Sequence, residues 1–126
     1  MMKSRLSIVL LMVLSFGCQE PASEENARLK NARLELRKYA FSGCMHMKYP
    51  SFDSLMNDGS SAGYFELSDY NLFAFEKVDS LVQTLKGQRL ASKHNKELGM
   101  MSCLNFYESE DLKSFINGLD DYLIVR

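Results

Sequence analysis

Two helices joined by almost no loop are encoded in the stretch KELGMMSCLNFYESEDL, residues 96–112. Apolar residues recur at helical spacing through its first half, which predicts a core helix with a broad apolar face. The residues of this predicted face are Leu98, Met100, Met101, Cys103, Leu104 and Tyr107. Ser109 can cap a second helix, whose apolar positions continue to Leu123. The stretch therefore predicts a tight helical corner with Cys103 facing inward.

Three more helices are predicted before this corner. The first runs from Asn26 and ends at Pro50, because proline removes a backbone donor and restrains the residue before it. A short helix is predicted after Pro50, and a longer one, capped by Ser68 or Asp69, ends at Gly87. No run of alternating strands accompanies these helices. The fold class predicted from periodicity is all-α, a small orthogonal helical bundle of about five helices with one disulfide.

The N-terminal residues have the pattern of a bacterial export signal. Two basic residues precede an apolar run that ends at Gly17, and Cys18 follows. The run is too short to cross a bilayer, which takes roughly 20 apolar residues. Its end loosely resembles a lipobox, so Cys18 is predicted as a lipidation site and as the only membrane contact. The predicted organisation is a signal peptide of lipoprotein type at residues 1–17, a polar tether at 18–25 and a helical domain at 26–126.

The three cysteines favour one disulfide. Cys18 is either acylated or removed with the signal, and both outcomes leave Cys44 and Cys103 as an even pair. Exported proteins fold in an oxidising compartment, where such a pair forms a bridge. Cys44 lies near the apolar face of the first predicted helix, which can offer it to Cys103. We expect this bridge to stabilise the domain by about 4 kcal/mol.

Composition and motifs exclude several classes of function. The chain has 15 basic and 16 acidic residues, so it lacks the basic excess of nucleic-acid-binding proteins. It contains no phosphate-binding glycine loop and no His-Glu-x-x-His pair. A disulfide between the two mature cysteines leaves no thiolate nucleophile. We therefore predict no enzymatic activity, no cofactor and no nucleic-acid partner.

Copper handling is the alternative function that the sequence leaves open. Met45, His46 and Met47 follow Cys44, and thioether and imidazole ligands suit Cu(I) in an exported protein. Adjacent residues of a helix point in different directions, however, and cannot all converge on one ion. In the competing interpretation the methionines fill the core. The alternative is thus an envelope copper-binding or adaptor lipoprotein.

Two segments are candidates for contact with another protein. Tyr64 and Phe65 lie beside Gly63 in a segment that could also be a strand, and aromatic residues are common anchors of interfaces. The same two rings could instead plug the bundle. The second segment is the polar loop before the helical corner, which can reach into another protein's cleft. Its candidate residues are Gln88, Arg89, Lys93, His94, Asn95 and Lys96.

The string CLNFYESEDL, residues 103–112, carries a family resemblance. It is similar to the hallmark near the C-terminus of immunity proteins that neutralise type VI secretion amidases of the fourth effector family. Glu108 stands where a His is common in that family. Cys44 stands where the family has its early cysteine, and residues 63–66, GYFE, look like its middle segment.

This resemblance implies a partner and a location. Family members are exported, all-helical and often homodimeric, and they bind a peptidoglycan amidase effector. The loop between their third and fourth helices enters the substrate groove of the enzyme, and by placement that loop is residues 88–96 here. The resemblance therefore implies an immunity protein of the periplasm, tethered there if Cys18 is lipidated, that occludes the amidase and has no turnover of its own.

Overall fold

The computed structural model of the chain describes residues 21–124. The predicted signal peptide, the lipidation of Cys18 and the first residues of the predicted tether lie outside this range. Within it lie α1 (Pro21–Lys48), α2 (Asp53–Met56), α3 (Ser60–Leu67), α4 (Leu72–Thr84), α5 (Gly99–Glu108), α6 (Glu110–Asn117) and a 3-10 turn (Asp120–Tyr122). Five of the α-helices have at least 8 residues, which confirms the predicted all-α fold. None of these helices is long and apolar enough to cross a bilayer.

Three boundaries differ from the predicted ones. α1 begins at Pro21, so the last part of the predicted tether, residues 21–25, is helical. Residues 63–67 belong to α3 and not to a strand, because a lone strand would leave its backbone groups unpaired whereas a helix pairs them internally. The last predicted helix is interrupted, since α6 ends at Asn117 and a turn at Gly118 precedes the 3-10 segment.

Side-chain caps fix the starts of two helices. Ser109 Oγ accepts from the N–H of Leu112 at 3.2 Å, as predicted for α6. The cap of α4 is Asn71, whose Oδ1 accepts from the N–H of Phe73 at 3.0 Å. The prediction of a cap at residues 68–69 is wrong. The chain just after that point pairs with the C-terminal segment through an isolated antiparallel bridge, so α4 starts later.

A continuous apolar core surrounds α1. This helix contacts α3, α4, α5 and α6. The buried residues of the core are Ala32, Leu36, Ala40, Tyr70, Ala74, Phe75, Val78, Val82, Leu112, Ile116 and Leu119. On α1, α4 and α6 they recur at helical spacing, so each of these helices presents one face inward. Apolar periodicity therefore identifies most of the core face of these three helices, with Leu72 of α4, which is 56% exposed, as an exception.

The buried face of α5 differs from the predicted one. Its buried residues are Gly99 and Cys103, about one helical turn apart. Met100, Met101 and Leu104, which the sequence predicts to be buried, are 56%, 51% and 44% exposed. Two contacts determine which side of α5 faces the core. They are the disulfide at Cys103 and the close packing of Gly99 against Tyr49, just after α1. Cys103 faces inward as predicted, whereas Met100, Met101 and Leu104 form an exposed apolar patch on α5.

The predicted disulfide is present. Cys44 and Cys103 are bonded, their Cα atoms lie 5.7 Å apart, and both side chains are fully buried. The bridge joins α1 to α5 across a sequence separation of 59 residues. A crosslink of this span removes many conformations from the unfolded chain, which is worth about 4 kcal/mol on the chain-entropy account. This contribution is large beside the marginal stability of a small domain.

Polar contacts attach the C-terminal segment to α1. Arg33 forms an ion pair with Asp120, and Tyr70 Oη donates to Asp120 Oδ1 at 3.0 Å. The hydrogen bond from the guanidinium group lowers the pKa of Asp120, whereas burial raises the pKa of Tyr70. Nearer the start of α1, Arg28 donates to the carbonyl of Ile124 at 3.2 Å. The two arginines thus hold the segment that closes the bundle.

Candidate functional site

The loop between α4 and α5 forms a short β-hairpin. At its base, the N–H of Leu98 donates to the carbonyl of Leu90 at 2.8 Å. Further out, Ala91 and Glu97 form an antiparallel bridge. Residues 90–98 are called the hairpin below. This segment is more ordered than the polar loop that the sequence predicts at this place.

Ser92 organises the tip of the hairpin. Its N–H donates to the carbonyl of Lys96, and its carbonyl accepts from the N–H of Asn95, both at 2.9 Å. Its Oγ accepts from the N–H groups of His94 and Lys96 at 3.3 and 3.2 Å. Asn95 has a φ of 59°, a left-handed conformation that Asn tolerates better than most residues, and Arg89 donates to its carbonyl at 3.1 Å. The tip is therefore a three-residue loop of defined shape.

Lys48, the last residue of α1, holds the base of the hairpin. Its Nζ donates to the carbonyl of Gln88, which lies just before the hairpin, and is 3.8 Å from Oε1 of Glu97 on the returning strand. The side chain of Lys48 is only 7% exposed. A charge so far removed from water is unfavourable unless it has polar partners, and these two groups provide them. One side chain of α1 thus contacts the returning strand of the hairpin and the chain that leads into it.

The start of α5 is fixed against Tyr49. The hydroxyl oxygen of Tyr49 accepts from the N–H of Met100 at 2.9 Å. A Cβ atom at Gly99 would lie 2.9 Å from the same oxygen, so any larger residue would displace the ring. Glycine at this position therefore permits the close approach of Tyr49. The returning strand of the hairpin therefore leads into a helix whose position is set by α1 and Tyr49.

The six loop residues that the sequence predicts for partner binding lie in or beside the hairpin, and all are exposed. They have two different roles. Arg89 and Asn95 contact each other and support the tip. The side chains of Lys93, His94 and Lys96 make no hydrogen bond or ion pair with any residue that the structure describes, so they are available to another molecule.

Tyr64 and Phe65 lie on a different element, α3. The ring of Phe65 packs edge-on against Phe75, with centroids 4.7 Å apart, and Phe65 remains 43% exposed. The ring of Tyr64 is 5.9 Å from the ammonium group of Lys38. Phe65 therefore both covers the core and presents an aromatic surface. The hairpin lies on a different part of the molecule, where Lys48 at the end of α1 holds it.

The geometry around Cys44 does not favour a copper site. Its sulfur is bonded to Cys103 and cannot serve as a thiolate ligand. His46 Nε2 donates to the carbonyl of Leu55 at 2.8 Å, and Met47 packs against the core. In the part of the chain that the structure describes, no group of three or more His, Cys, Asp or Glu residues could hold a metal ion. The methionines of α1 are better explained as packing residues.

Lys48, Ser92 and Glu97 shape the site, and none of them is among the predicted contact residues. A signal for Ser92 exists, because Ser at the first position of a turn and Asn at a left-handed position are typical turn residues. Lys48 has no such signal. A lysine at the end of a helix is ordinarily solvated, and its burial depends on a contact with residues distant in sequence.

Comparison with known proteins identifies the family. The Tai4 family model, described as type VI secretion system amidase immunity protein, matches residues 35–116, more than half of the chain. The matched range includes the two bridged cysteines and the whole hairpin. No curated protein and no solved structure matches the chain. The chain belongs to the family of type VI secretion system amidase immunity proteins.

Proposed function

We propose that the chain is a periplasmic immunity protein that binds a type VI peptidoglycan amidase and occludes its substrate groove with the hairpin. Because the family consists of amidase immunity proteins, the proposed partner is an amidase. One observation carries the choice of the hairpin: Lys48 holds its base, while side chains at its tip are exposed. Occlusion needs no catalytic group, so the proposal includes no turnover by the chain itself.

A preformed hairpin suits this mode of inhibition. Ordering a flexible loop costs about 1–2 kcal/mol of backbone entropy per residue. In the hairpin this cost is met during folding, so less binding energy is lost when the partner is engaged. Lys93 and Lys96 also make the tip cationic. A cationic tip favours encounter with an acidic groove and raises the association rate.

Peptidoglycan hydrolysis by a cognate amidase tests the proposal directly. The purified chain is added at increasing molar ratio, and release of stem-peptide fragments is measured. Loss of hydrolysis at a ratio near one to one is the expected result, because a sterically blocked groove turns over no substrate. Full hydrolysis in the presence of excess chain would refute the proposed inhibition.

Charge reversal at the tip tests the contact surface. In Lys93→Glu with Lys96→Glu, we expect inhibition to weaken by about 100-fold, because like charges brought together at an interface cost several kcal/mol. The matched control is Lys77→Glu with Lys86→Glu, which makes the same change of charge on α4 and just after it. Control inhibition should equal that of the wild type. If the tip variant inhibits as well as the wild type, the amidase contacts another surface, such as that of Phe65.

We further propose export by the signal at residues 1–17 and a lipid anchor at Cys18. The disulfide supports export, since such bridges are typical of oxidising compartments. Cell fractionation of the wild type and of Cys18→Ala is the test. The wild type should sediment with membranes and the variant should be released with the periplasmic fraction. Recovery of the wild type in the cytoplasm would contradict export, and its release with the periplasmic fraction would contradict the anchor.

A homodimer is also part of the proposal. The family resemblance implies one, and α5 exposes Met100, Met101 and Leu104, which a second copy could cover. Burial of such side chains is favourable in water. Light scattering of the processed chain should give twice its mass, and Met101→Glu with Leu104→Glu should give a monomer. A monomeric wild type at the concentrations that inhibit the amidase would exclude a role for the dimer.

A further inference from the structure

A groove of about 350 Å³ lies between α1 and α6. Its four basic residues are Lys30, Arg33 and Arg37 on α1 and Lys113 on α6. The three residues of α1 recur at helical spacing and share one face of the helix. Of the residues that the structure describes, no acidic one lines the groove. This is a marked separation of charge, because the whole chain has 16 acidic and 15 basic residues.

Only part of the positive charge of the groove is compensated. Arg33 pairs with Asp120. Lys113 pairs at 2.5 Å with a glutamate of its own helix whose side chain is 83% exposed, so water screens much of that attraction. Lys30 and Arg37 form no ion pair in the described part of the chain. The groove therefore carries positive charge that neighbouring carboxylates do not neutralise.

Arg37 also has an unused hydrogen-bond donor. Its Nη2 donates to the carbonyl of Tyr107 at 3.2 Å, and its guanidinium carbon lies 4.5 Å from the centre of the Tyr107 ring. Its Nε is buried and has no hydrogen-bond partner within the described part of the chain. A buried donor without a partner is unfavourable in a folded protein, so the contacts with Tyr107 satisfy this guanidinium group only in part.

An oxyanion in the groove would offset its uncompensated positive charge and would accept hydrogen bonds from Arg37. Carboxylate and phosphate groups accept paired hydrogen bonds from a guanidinium group, which suits Arg37. A negative charge would also reduce the repulsion between the four basic side chains. Leu29 and Leu34 line the same groove and are half-buried. Apolar surface beside a charge lowers the local dielectric and strengthens electrostatic attraction.

We propose that this groove binds an oxyanion, a carboxylate or phosphate group, with Lys30 and Arg37 as its principal contacts. The groove is separate from the hairpin. Arg37 and Lys48, which holds the hairpin, are about 16 Å apart along the axis of α1 at 1.5 Å per residue. The inference therefore goes beyond inhibition of the amidase and can be tested without that enzyme.

Titration of the purified protein with inorganic phosphate and, separately, with succinate tests the site. Ionic strength is held constant with sodium chloride, and backbone amide shifts are recorded by NMR. Saturable shifts around the groove on α1 and α6, without shifts at the hairpin, are expected with at least one anion. A response to phosphate alone identifies a phosphate ligand, and a response to succinate alone identifies a carboxylate ligand; either supports the site. Absence of saturable shifts with both anions would overturn it.

Three single substitutions separate a specific site from general attraction. Lys30→Gln and Arg37→Gln should each weaken anion binding about tenfold, the effect of losing one charge-assisted contact. Lys86→Gln, an exposed lysine just after α4, removes the same charge and should leave binding unchanged. Lys30 is exposed, so its variant tests the site even if Arg37→Gln does not fold. Equal weakening by Lys86→Gln would show that the anion responds only to net charge.

Discussion

The Nζ of Lys48 lies 3.8 Å from Oε1 of Glu97, so the end of α1 is tied to the returning strand of the hairpin. The same ammonium group donates to the carbonyl of Gln88 before the hairpin begins. A largely buried lysine therefore ties the returning strand, and the chain that leads into the hairpin, to the end of α1. Removal of its charge is the most direct way to loosen the hairpin without changing the tip.

We expect Lys48→Met to loosen the hairpin while the fold is retained. Methionine keeps an unbranched apolar chain but makes neither contact of the ammonium group. The amides of Ser92 and Leu98, which donate across the hairpin, should exchange with deuterium about tenfold faster, since local opening becomes easier. Exchange at Ile116 in α6 is the internal control and should not change. Unaltered exchange at Leu98 would show that Lys48 does not hold the hairpin.

Removal of the disulfide should lower stability strongly. Cys44→Ala with Cys103→Ala is expected to cost about 4 kcal/mol and to lower Tm by about 20 °C in a domain of this size. Dithiothreitol should lower the Tm of the wild type but leave that of the double variant unchanged. Thermal unfolding followed by circular dichroism measures both effects. Two free thiols in the oxidised wild type would contradict the bridge.

A pair of leucine substitutions tests the observed face of α5. Leu112 is fully buried in the core, and Leu112→Ala should lower the free energy of unfolding by about 2–5 kcal/mol. Leu104 is 44% exposed, so Leu104→Ala should cost under about 1 kcal/mol. Urea unfolding gives both values under the same conditions. Equal losses would mean that Leu104 is buried, as its spacing in the sequence predicts.

The ion pair of Arg33 with Asp120 makes stability depend on pH. The hydrogen bond from Arg33 lowers the pKa of Asp120 below its ordinary value near 4. A carboxyl group whose pKa is lower in the folded state than in the unfolded state stabilises the fold at pH values above its unfolded-state pKa. This stabilisation is lost as the pH falls through the folded-state pKa. Asp120→Asn should therefore be less stable than the wild type at pH 7, and the difference should shrink toward pH 2.5.

The neighbouring Asp121→Asn is the control for this pH series. Asp121 is exposed, so this variant should follow the wild type throughout. Other carboxyl groups titrate in the same range, and burial raises the pKa of Asp79, which has the opposite effect on stability. The difference between variant and wild type isolates the contribution of Asp120. A difference that stays constant from pH 7 to 2.5 would exclude titration as its cause.

Periodicity predicted the core where apolar residues occupy one side of a helix. Leu36, Val78 and Leu112 lie on such faces, and all three are buried. For α5 the same method placed Cys103 inward correctly but also predicted burial of Met100, Met101 and Leu104, which are exposed. Apolar residues surround much of that helix, so spacing alone does not distinguish Leu104 from Cys103. Tertiary contacts, namely the disulfide and the packing of Gly99, select the buried side.

The position of the candidate site was predictable, but its geometry was not. The resemblance placed a partner-binding loop at residues 88–96, and turn residues such as Asn95 mark a reversal of the chain. The burial of Lys48 depends on packing between segments far apart in sequence, which local patterns do not encode. Local patterns do not encode the basic groove either, because Lys30 and Lys113 come together only when α1 and α6 pack.

The disulfide turns the middle of the chain into a covalent ring. Cys44 and Cys103 enclose α2, α3, α4 and the whole hairpin in sequence. A protease that cuts one peptide bond anywhere in this ring, including the exposed tip, leaves two fragments that remain joined. Leu36 lies before the ring and Leu112 after it, so the joined fragments retain both sides of the core. A chain nicked once in this ring would release two separate fragments only after the disulfide is reduced.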